Sequence, residues 1–171
     1  MLRPFLPQDQ ALVFEAALDP LIPLITTVPS PCDEVQALAF IERQHDRFIS
    51  GTGYSLAIAE ATTSVAVGQI GLWLRDLSDG RATIGYWVVP SARRKGAAFH
   101  ALWTLSEWGL AQPGIDRLQL YIEPWNEGSW RTAQRVGYRR EGLLRSWQRV
   151  GQERRDMYMY SLLTGDLQPW R

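Results

Sequence analysis

Two stretches of the chain place side chains able to do chemistry at spacings that could matter. The first is Gly85-Tyr86-Trp87-Val88-Val89-Pro90-Ser91-Ala92-Arg93-Arg94-Lys95-Gly96-Ala97-Ala98. It reads as a buried strand, a sharp turn rich in cations, and the start of an amphipathic helix. Pro90 cannot donate to a ladder and stops the strand. Gly96 lets the backbone pass close to another object. A helix start offers N–H groups without intrahelical partners, and Arg93, Arg94 and Lys95 lie beside it, so the turn is an anion site. Phosphate suits it best, because phosphate presents several acceptor oxygens. The second stretch runs from Glu123 to Ser129. Asn126 and Ser129 are three residues apart at a helix start, so both can point into one cleft. Glu123 ends the strand before them and could act as a base. Local helix capping explains Asn and Ser at such positions equally simply, and strand-end carboxylates are commonly just solvated.

The elements that must position these residues follow from pattern. Leu2 to Phe5 reads as a short strand and Pro7 to Leu18 as a helix. Residues 19 to 32 are broken by Pro20, Pro23, Pro29 and Pro31 into an irregular loop carrying Leu21, Ile22, Leu24 and Ile25, the composition of a binding wall or a dimer contact. Ser30-Pro31-Cys32-Asp33 resembles a capped helix start. The helix it opens runs to about Ser50, with an apolar stripe of Leu38, Ile41 and Phe48 that also carries His45. Tyr54 to Glu60 alternates as a strand. Val65 to Arg75 is a second strand whose apolar phase slips near Gly68, the mark of a bulge. Asp79-Gly80 signals a hairpin turn. Thr83 to Val89 is apolar on both faces, as a covered central strand should be.

After the turn, Ala101, Leu102, Leu105 and Trp108 keep helical spacing through about residue 110, with His100, Thr104 and Glu107 opposite. Arg117 to Glu123 is a further strand, ended by Pro124. A short helix follows Asn126 and stops at Gly137. Arg139 to Leu163 alternates in two arms around Val150-Gly151-Gln152, a hairpin.

Composition bounds the reading. A chain of 171 residues, 46% apolar and 21% charged, matches one globular domain, 1–171, with a sizeable core. Zero formal net charge gives no global pull toward nucleic acid or membrane. No apolar run reaches membrane-spanning length. A lone cysteine, Cys32, excludes an internal disulfide and fits a reducing, cytoplasmic setting. No metal-ligand spacing appears. Charge is uneven, however: residues 131 to 155 carry eight arginines against two acids, Glu141 and Glu153, an excess of six. That stretch reads as a solvated hairpin, or as a basic rim for a coenzyme phosphate, an acidic acyl group or RNA.

Arg93-x-x-Gly96-x-Ala98 is similar to the phosphate-binding turn of the GNAT superfamily of N-acetyltransferases. The order of elements resembles that family across nearly the whole chain. Gly85-Tyr86-Trp87, Asn126-x-x-Ser129 with Gly137-Tyr138, Glu141-Gly142 with Leu144-Arg145, and Asp156 followed by Tyr160-Ser161-Leu162-Leu163 resemble the branch that acetylates ribosomal-protein N-termini. Phe99-His100 departs from that branch, which commonly has an acid and a small residue there.

The resemblance implies an α/β (α+β) GNAT fold. Its mixed, mostly antiparallel sheet would have six to seven strands flanked by about four helices, splayed between the fourth and fifth strands. It implies acetyl-CoA as co-substrate, with no metal, and transfer of the acetyl group to a primary amine by direct attack in a ternary complex. Backbone N–H groups from Arg94 to Ala98, through Lys95, Gly96 and Ala97, would hold the pyrophosphate, with charge added by Arg93, Arg94 and Lys95. Trp87, Val88 and Val89 would lie beside the pantetheine arm, and an N–H near Val88 would polarise the thioester carbonyl. Asn126 would bond the arm and Ser129 would protonate the leaving thiolate. For the base the residues themselves offer Glu123 at the strand end, or a water relay, since an α-amine needs little help.

The amine could be a protein N-terminus or a small molecule. The arginine excess leaves room for succinyl-CoA as donor. A non-catalytic acyl-CoA-binding module is the reading from another class. Zero net charge and the absence of a stacking motif argue against nucleic acid as the main partner. The apolar loop and eight tryptophans leave room for a homodimer.

Overall fold

The computed structural model describes residues 1–169. In chain order the elements are β1 (Leu2–Arg3), α1 (Gln10–Leu18), α2 (Ile22–Ile25), α3 (Glu34–Ile49), β2 (Gly53–Ala59), β3 (Ala66–Trp73), β4 (Arg81–Val88), α4 (Ala97–Leu110), β5 (Arg117–Ile122), α5 (Glu127–Val136), β6 (Arg139–Val150) and β7 (Glu153–Leu163). The strands form a seven-stranded, mostly antiparallel sheet in the order β1-β2-β3-β4-β5-β7-β6. One neighbouring pair is parallel. Arg81–Thr83 of β4 pair with Arg117–Gln119 of β5, a ladder of three residue pairs, although β4 continues to Val88 and β5 to Ile122. The mixed sheet is the one expected. The helix beyond the expected four is α2, a single turn inside the proline-rich loop.

The chain divides into two compact units. The first joins Met1–Gly71 to Tyr86–Ala101; the second joins Leu72–Gly85 to the residues from Leu102 onward. In the first, Phe5, Val13, Ala16, Phe40 and Ile70 are almost wholly buried, and Phe5 meets Phe40 edge to face with ring centroids 5.8 Å apart.

Helix α3 differs from its sequence reading in two ways. Its cap is Asp33, not Ser30: Asp33 Oδ1 accepts from Gln36 N–H at 2.8 Å and Gln36 Oε1 accepts from Asp33 N–H at 2.9 Å, a reciprocal capping box. Its buried face is Ala37, Phe40, Ile41 and Gln44, while Leu38 and Phe48 are exposed. The true stripe keeps helical spacing, shares Ile41 with the expected one and admits a glutamine, Gln44. His45 is exposed at its border, with Nε2 2.9 Å from the Phe5 carbonyl.

Strand β3 is buried at every position from Ala66 to Leu72. A strand covered on both faces has no apolar phase to slip. Gly68 is required for a different reason. A Cβ there would collide with the Trp87 carbonyl oxygen and lie 3.1 Å from Val88 Cα.

In the second unit, Leu102, Leu105, Leu118, Leu120, Tyr160 and Leu162 form the core. Trp108, expected on the buried face of α4, is 38% exposed. The buried face runs instead through Ser106, fully buried with Oγ 2.8 Å from the Tyr138 hydroxyl, and Gly109. Gly137 caps α5 at φ 118°, a conformation that favours glycine, and its N–H returns to Ala133 and Gln134 carbonyls. The hairpin turns through Gly151-Gln152 between paired Val150 and Glu153. Most of β6 is exposed on both faces. Within the arginine excess, Arg131 pairs with Glu127, Arg139 with Asp166 and Arg155 with Glu153.

Candidate functional site

Strand β4 ends at Val88, and a 3₁₀ turn over Pro90–Ala92 leads to the cation-rich segment. The backbone then alternates in sign. Arg93 has φ −64°, Arg94 φ 63° and Gly96 φ 82°, and Lys95 between them is not left-handed. Arg93 itself is extended at ψ 158°, so the turn proper lies at Arg94 to Gly96, where left-handed residues can present N–H groups on one side. Helix α4 begins at Ala97, so the N–H groups of Ala97 and Ala98 also lack intrahelical acceptors. Among the described residues, no carbonyl takes the N–H of Arg94, Lys95 or Gly96. Gly96 is needed for its dihedral rather than for space: the nearest atom to an added Cβ is His100 Nε2 at 3.4 Å, close to ordinary contact.

Arg93 does not project freely from this turn. Its Nε donates to the Val88 carbonyl at 3.0 Å and its Nη2 to Asp19 Oδ2 at 2.6 Å. Asp19 is buried. Burial pushes its carboxyl up, but N–H donors from Leu21 and Ile22 and the Arg93 guanidinium outweigh that and leave it below the usual carboxylate range. Arg94 and Lys95 are exposed and form no ion pair among the described residues.

The end of β4 has a defined orientation. Val89 N–H donates to the Val67 carbonyl at 3.0 Å, and the Trp87 carbonyl lies over Gly68. Backbone groups alternate sides along a strand. The N–H of Val88 therefore points away from β3. Trp87, Val88 and Val89 are all buried. The Trp87 indole N–H donates to Gln69 Oε1 at 2.7 Å, and Gln69 Nε2 donates to Gln44 Oε1 at 2.9 Å and to Ser55 Oγ at 2.6 Å. Ser55 Oγ in turn donates to Gln44 Oε1 at 3.0 Å. This buried polar network locks the ring of Trp87 into the first unit.

Asn126 and Ser129 belong to the second unit. Asn126 is the N-cap of α5, its Oδ1 accepting from Ser129 N–H at 3.2 Å. The cap uses only the amide oxygen, and the NH2 is left as a donor. Ser129 is half-buried in the first turn of α5. Glu123 follows β5 and its Oε2 accepts from the Trp125 indole N–H at 2.7 Å. Tyr138 is buried and serves the core through Ser106. At the opposite end of β5, the Arg117 guanidinium, with Ser161 adding a hydrogen bond, holds the Glu141 carboxyl below its ordinary range.

Sequence reasoning passed over the residues that hold the turn from outside it. Asp19 lies 74 residues from Arg93, and Glu15, which accepts from Ser91 N–H and Oγ at 3.0 Å each, lies 76 residues from Ser91. No local pattern links such pairs. Gln44 did leave a signal, as a polar residue on an otherwise apolar helical stripe.

The acetyltransferase (GNAT) domain family matches residues 1–139. The chain is 27% identical over 156 residues to the uncharacterized N-acetyltransferase p20 of Bacillus licheniformis, covering 91% of this chain and 88% of that protein. Among solved structures it superposes on RimJ of Mycobacterium smegmatis in complex with CoA-disulfide, at TM-score 0.79 and 22% identity, over 98% of this chain and 83% of the other. It also superposes on a putative ribosomal-protein-serine acetyltransferase of Vibrio cholerae, at TM-score 0.76 and 21% identity, over 95% and 92%. The fold is therefore the GNAT fold that the order of elements implied. With a family match reaching from β1 to the start of β6, the chain belongs to the GNAT acetyltransferases and is an N-acetyltransferase.

Proposed function

We propose that this protein, acting as one functional domain over 1–171, moves an acetyl group from acetyl-CoA to a primary amine on a protein N-terminus or a small molecule. The observation that carries the reading is the sign-alternating turn from Arg93 to Gly96 running into α4. It fits a diphosphate: N–H groups that no carbonyl takes among the described residues, a glycine where a side chain would be strained, and two exposed cations, Arg94 and Lys95. Arg93 supports the turn from behind, since its guanidinium is shared by Val88 and Asp19.

A bound thioester supplies an activated acyl group, so holding amine and carbonyl together provides most of the acceleration. The N–H of Val88, turned away from β3, is the donor for charge developing on the carbonyl oxygen. The Trp87–Gln69 bond keeps that strand end rigid. The NH2 of Asn126 orients the pantetheine amides. Ser129 gives a proton to the departing sulfur, and Glu123 receives one from the amine directly or through water. Among the described residues no group of three or more His, Cys, Asp or Glu could hold a metal, and no helix is long and apolar enough to cross a membrane. The single cysteine fits a reducing, cytoplasmic setting.

The test joins calorimetry with acetyl-CoA to a screen of N-terminal peptides, polyamines and amino acids read by thiol release. Saturable binding with turnover of at least one amine is the expected result. No heat and no melting shift at millimolar acetyl-CoA would refute the proposal. Faster turnover of succinyl-CoA than of acetyl-CoA would reassign the acyl group.

A further inference from the structure

The C-terminal end of α1 presents two carboxylates, Glu15 and Asp19, four residues apart, and both reach the segment just before the phosphate-binding turn. Glu15 takes the N–H and hydroxyl of Ser91, at 3.0 Å each. Asp19 Oδ2 takes the guanidinium of Arg93 at 2.6 Å. The other oxygen of Asp19, Oδ1, accepts from Leu21 N–H at 2.8 Å and Ile22 N–H at 3.0 Å and so caps α2. Arg93 in turn holds the Val88 carbonyl. One buried carboxylate thus ties together the end of α1, the start of α2, the turn and the last residue of β4. Asp19 also lines an open cavity of about 510 Å³, with Leu18, Pro20, Pro23, Leu24 and Val28.

We infer that Asp19 and Glu15 are positioning residues for coenzyme binding: they hold Ser91 to Arg93 so that the following N–H groups converge. The inference rests on the proposed use of acetyl-CoA. It has a sign that simple electrostatics does not share. A carboxylate near an anion site repels the anion, so deleting its charge should tighten binding if charge alone mattered. If the clamp matters, deleting it weakens binding, because the turn loses its preorganised shape.

Asp19→Asn makes the cleanest test. The amide oxygen can keep the α2 cap, and the NH2 meets Arg93 donor to donor. Acetyl-CoA Kd by calorimetry and KM by thiol release should rise on the order of tenfold, the loss of one charge-assisted hydrogen bond. The kcat at saturation should stay within about twofold, because no group on the reacting atoms is changed. Arg93→Gln should raise Kd and KM in the same direction, and the double variant should be no worse than the weaker-binding single one. Glu15→Gln, on the exposed link, should raise KM in the same direction by about two- to threefold, and carries the test if Asp19→Asn does not fold. Wild-type protein that binds acetyl-CoA, with variants that bind equally or more tightly, overturns the clamp alone. So do variants that lose kcat and melting temperature while KM stays fixed. Wild-type protein that does not bind acetyl-CoA overturns both the clamp and the function on which it rests.

Discussion

Gly68→Ala should damage the protein out of proportion to one methyl group. Gly68 has no positive φ, so alanine can adopt its backbone without strain. The whole effect is therefore steric. The added Cβ meets the Trp87 carbonyl oxygen and lies 3.1 Å from Val88 Cα, and both obstacles are backbone atoms in a strand. Neither can rotate aside as a side chain would. Relief requires β3 and β4 to part locally by about 1 Å, against a normal spacing of about 4.8 Å. Overpacking of this kind costs about 1–3 kcal/mol. The bond from Val89 N–H to the Val67 carbonyl, now 3.0 Å, stretches as well, which adds about 1 kcal/mol. A total of about 2–4 kcal/mol is a large share of the 5–15 kcal/mol typical of a domain. Because the displaced atoms belong to Trp87 and Val88, acetyl-CoA KM should rise too. Urea denaturation followed by circular dichroism measures the first effect, with an unchanged m-value showing that the same surface unfolds. Gly128→Ala is the internal control: it sits in α5 with nothing within 4 Å of an added Cβ, and should gain about 0.5–1 kcal/mol. A Gly68→Ala protein that unfolds at the wild-type urea midpoint would refute the close-approach argument.

Three further substitutions separate structural from catalytic roles. Gln69→Leu leaves the Trp87 indole N–H, Gln44 Oε1 and Ser55 Oγ each short of a buried partner and should cost about 2–4 kcal/mol in denaturation; an unchanged midpoint would mean that the network contributes nothing. Glu141 has a folded pKa below its unfolded one, so its contribution to stability is present above about pH 4.3 and fades as pH falls through the folded value. Glu141→Gln should flatten the acid limb of a stability–pH curve below about pH 4.5, by less than about 1 kcal/mol because the carboxylate is 44% exposed; an acid limb identical to wild type contradicts this. Ser129→Ala should lower kcat on the order of ten- to a hundredfold while acetyl-CoA Kd stays within about twofold, and loss of affinity instead of turnover would make Ser129 only part of the helix start.

Elements whose signal is local were legible in the sequence. The break after β4, the stop of α5 at Gly137 and the Gly151-Gln152 turn each depend on a residue whose backbone preference is visible one position at a time. The misreadings share another cause. On α3 the stripe Leu38, Ile41, Phe48 and the stripe Ala37, Phe40, Ile41, Gln44 have the same period, and only the long-range partners of Gln44, namely Ser55 and Gln69, decide between them. Ser106 on α4 is the same case: a serine reads as solvent-facing until Tyr138 supplies its partner. A polar residue is admitted to a core when its hydrogen bond is met there, and the sequence does not show which residue will meet it.

The same distinction explains why the turn could be found while its electrostatics could not. Three adjacent cations beside a glycine look like three charges aimed at one anion. In the folded chain one of them, Arg93, is tied to Asp19 and the Val88 carbonyl, and the other two form no ion pair among the described residues. On the proposed reading, anion binding then rests mainly on N–H groups of the turn that holds Arg94 and Gly96, its two left-handed positions. Those N–H groups belong to the main chain and are invisible to any count of charged side chains. Their persistence depends on the segment before them being held still. On that proposal the two carboxylates at the end of α1, which from charge alone would be assigned to repelling the ligand, are the groups on which its grip depends.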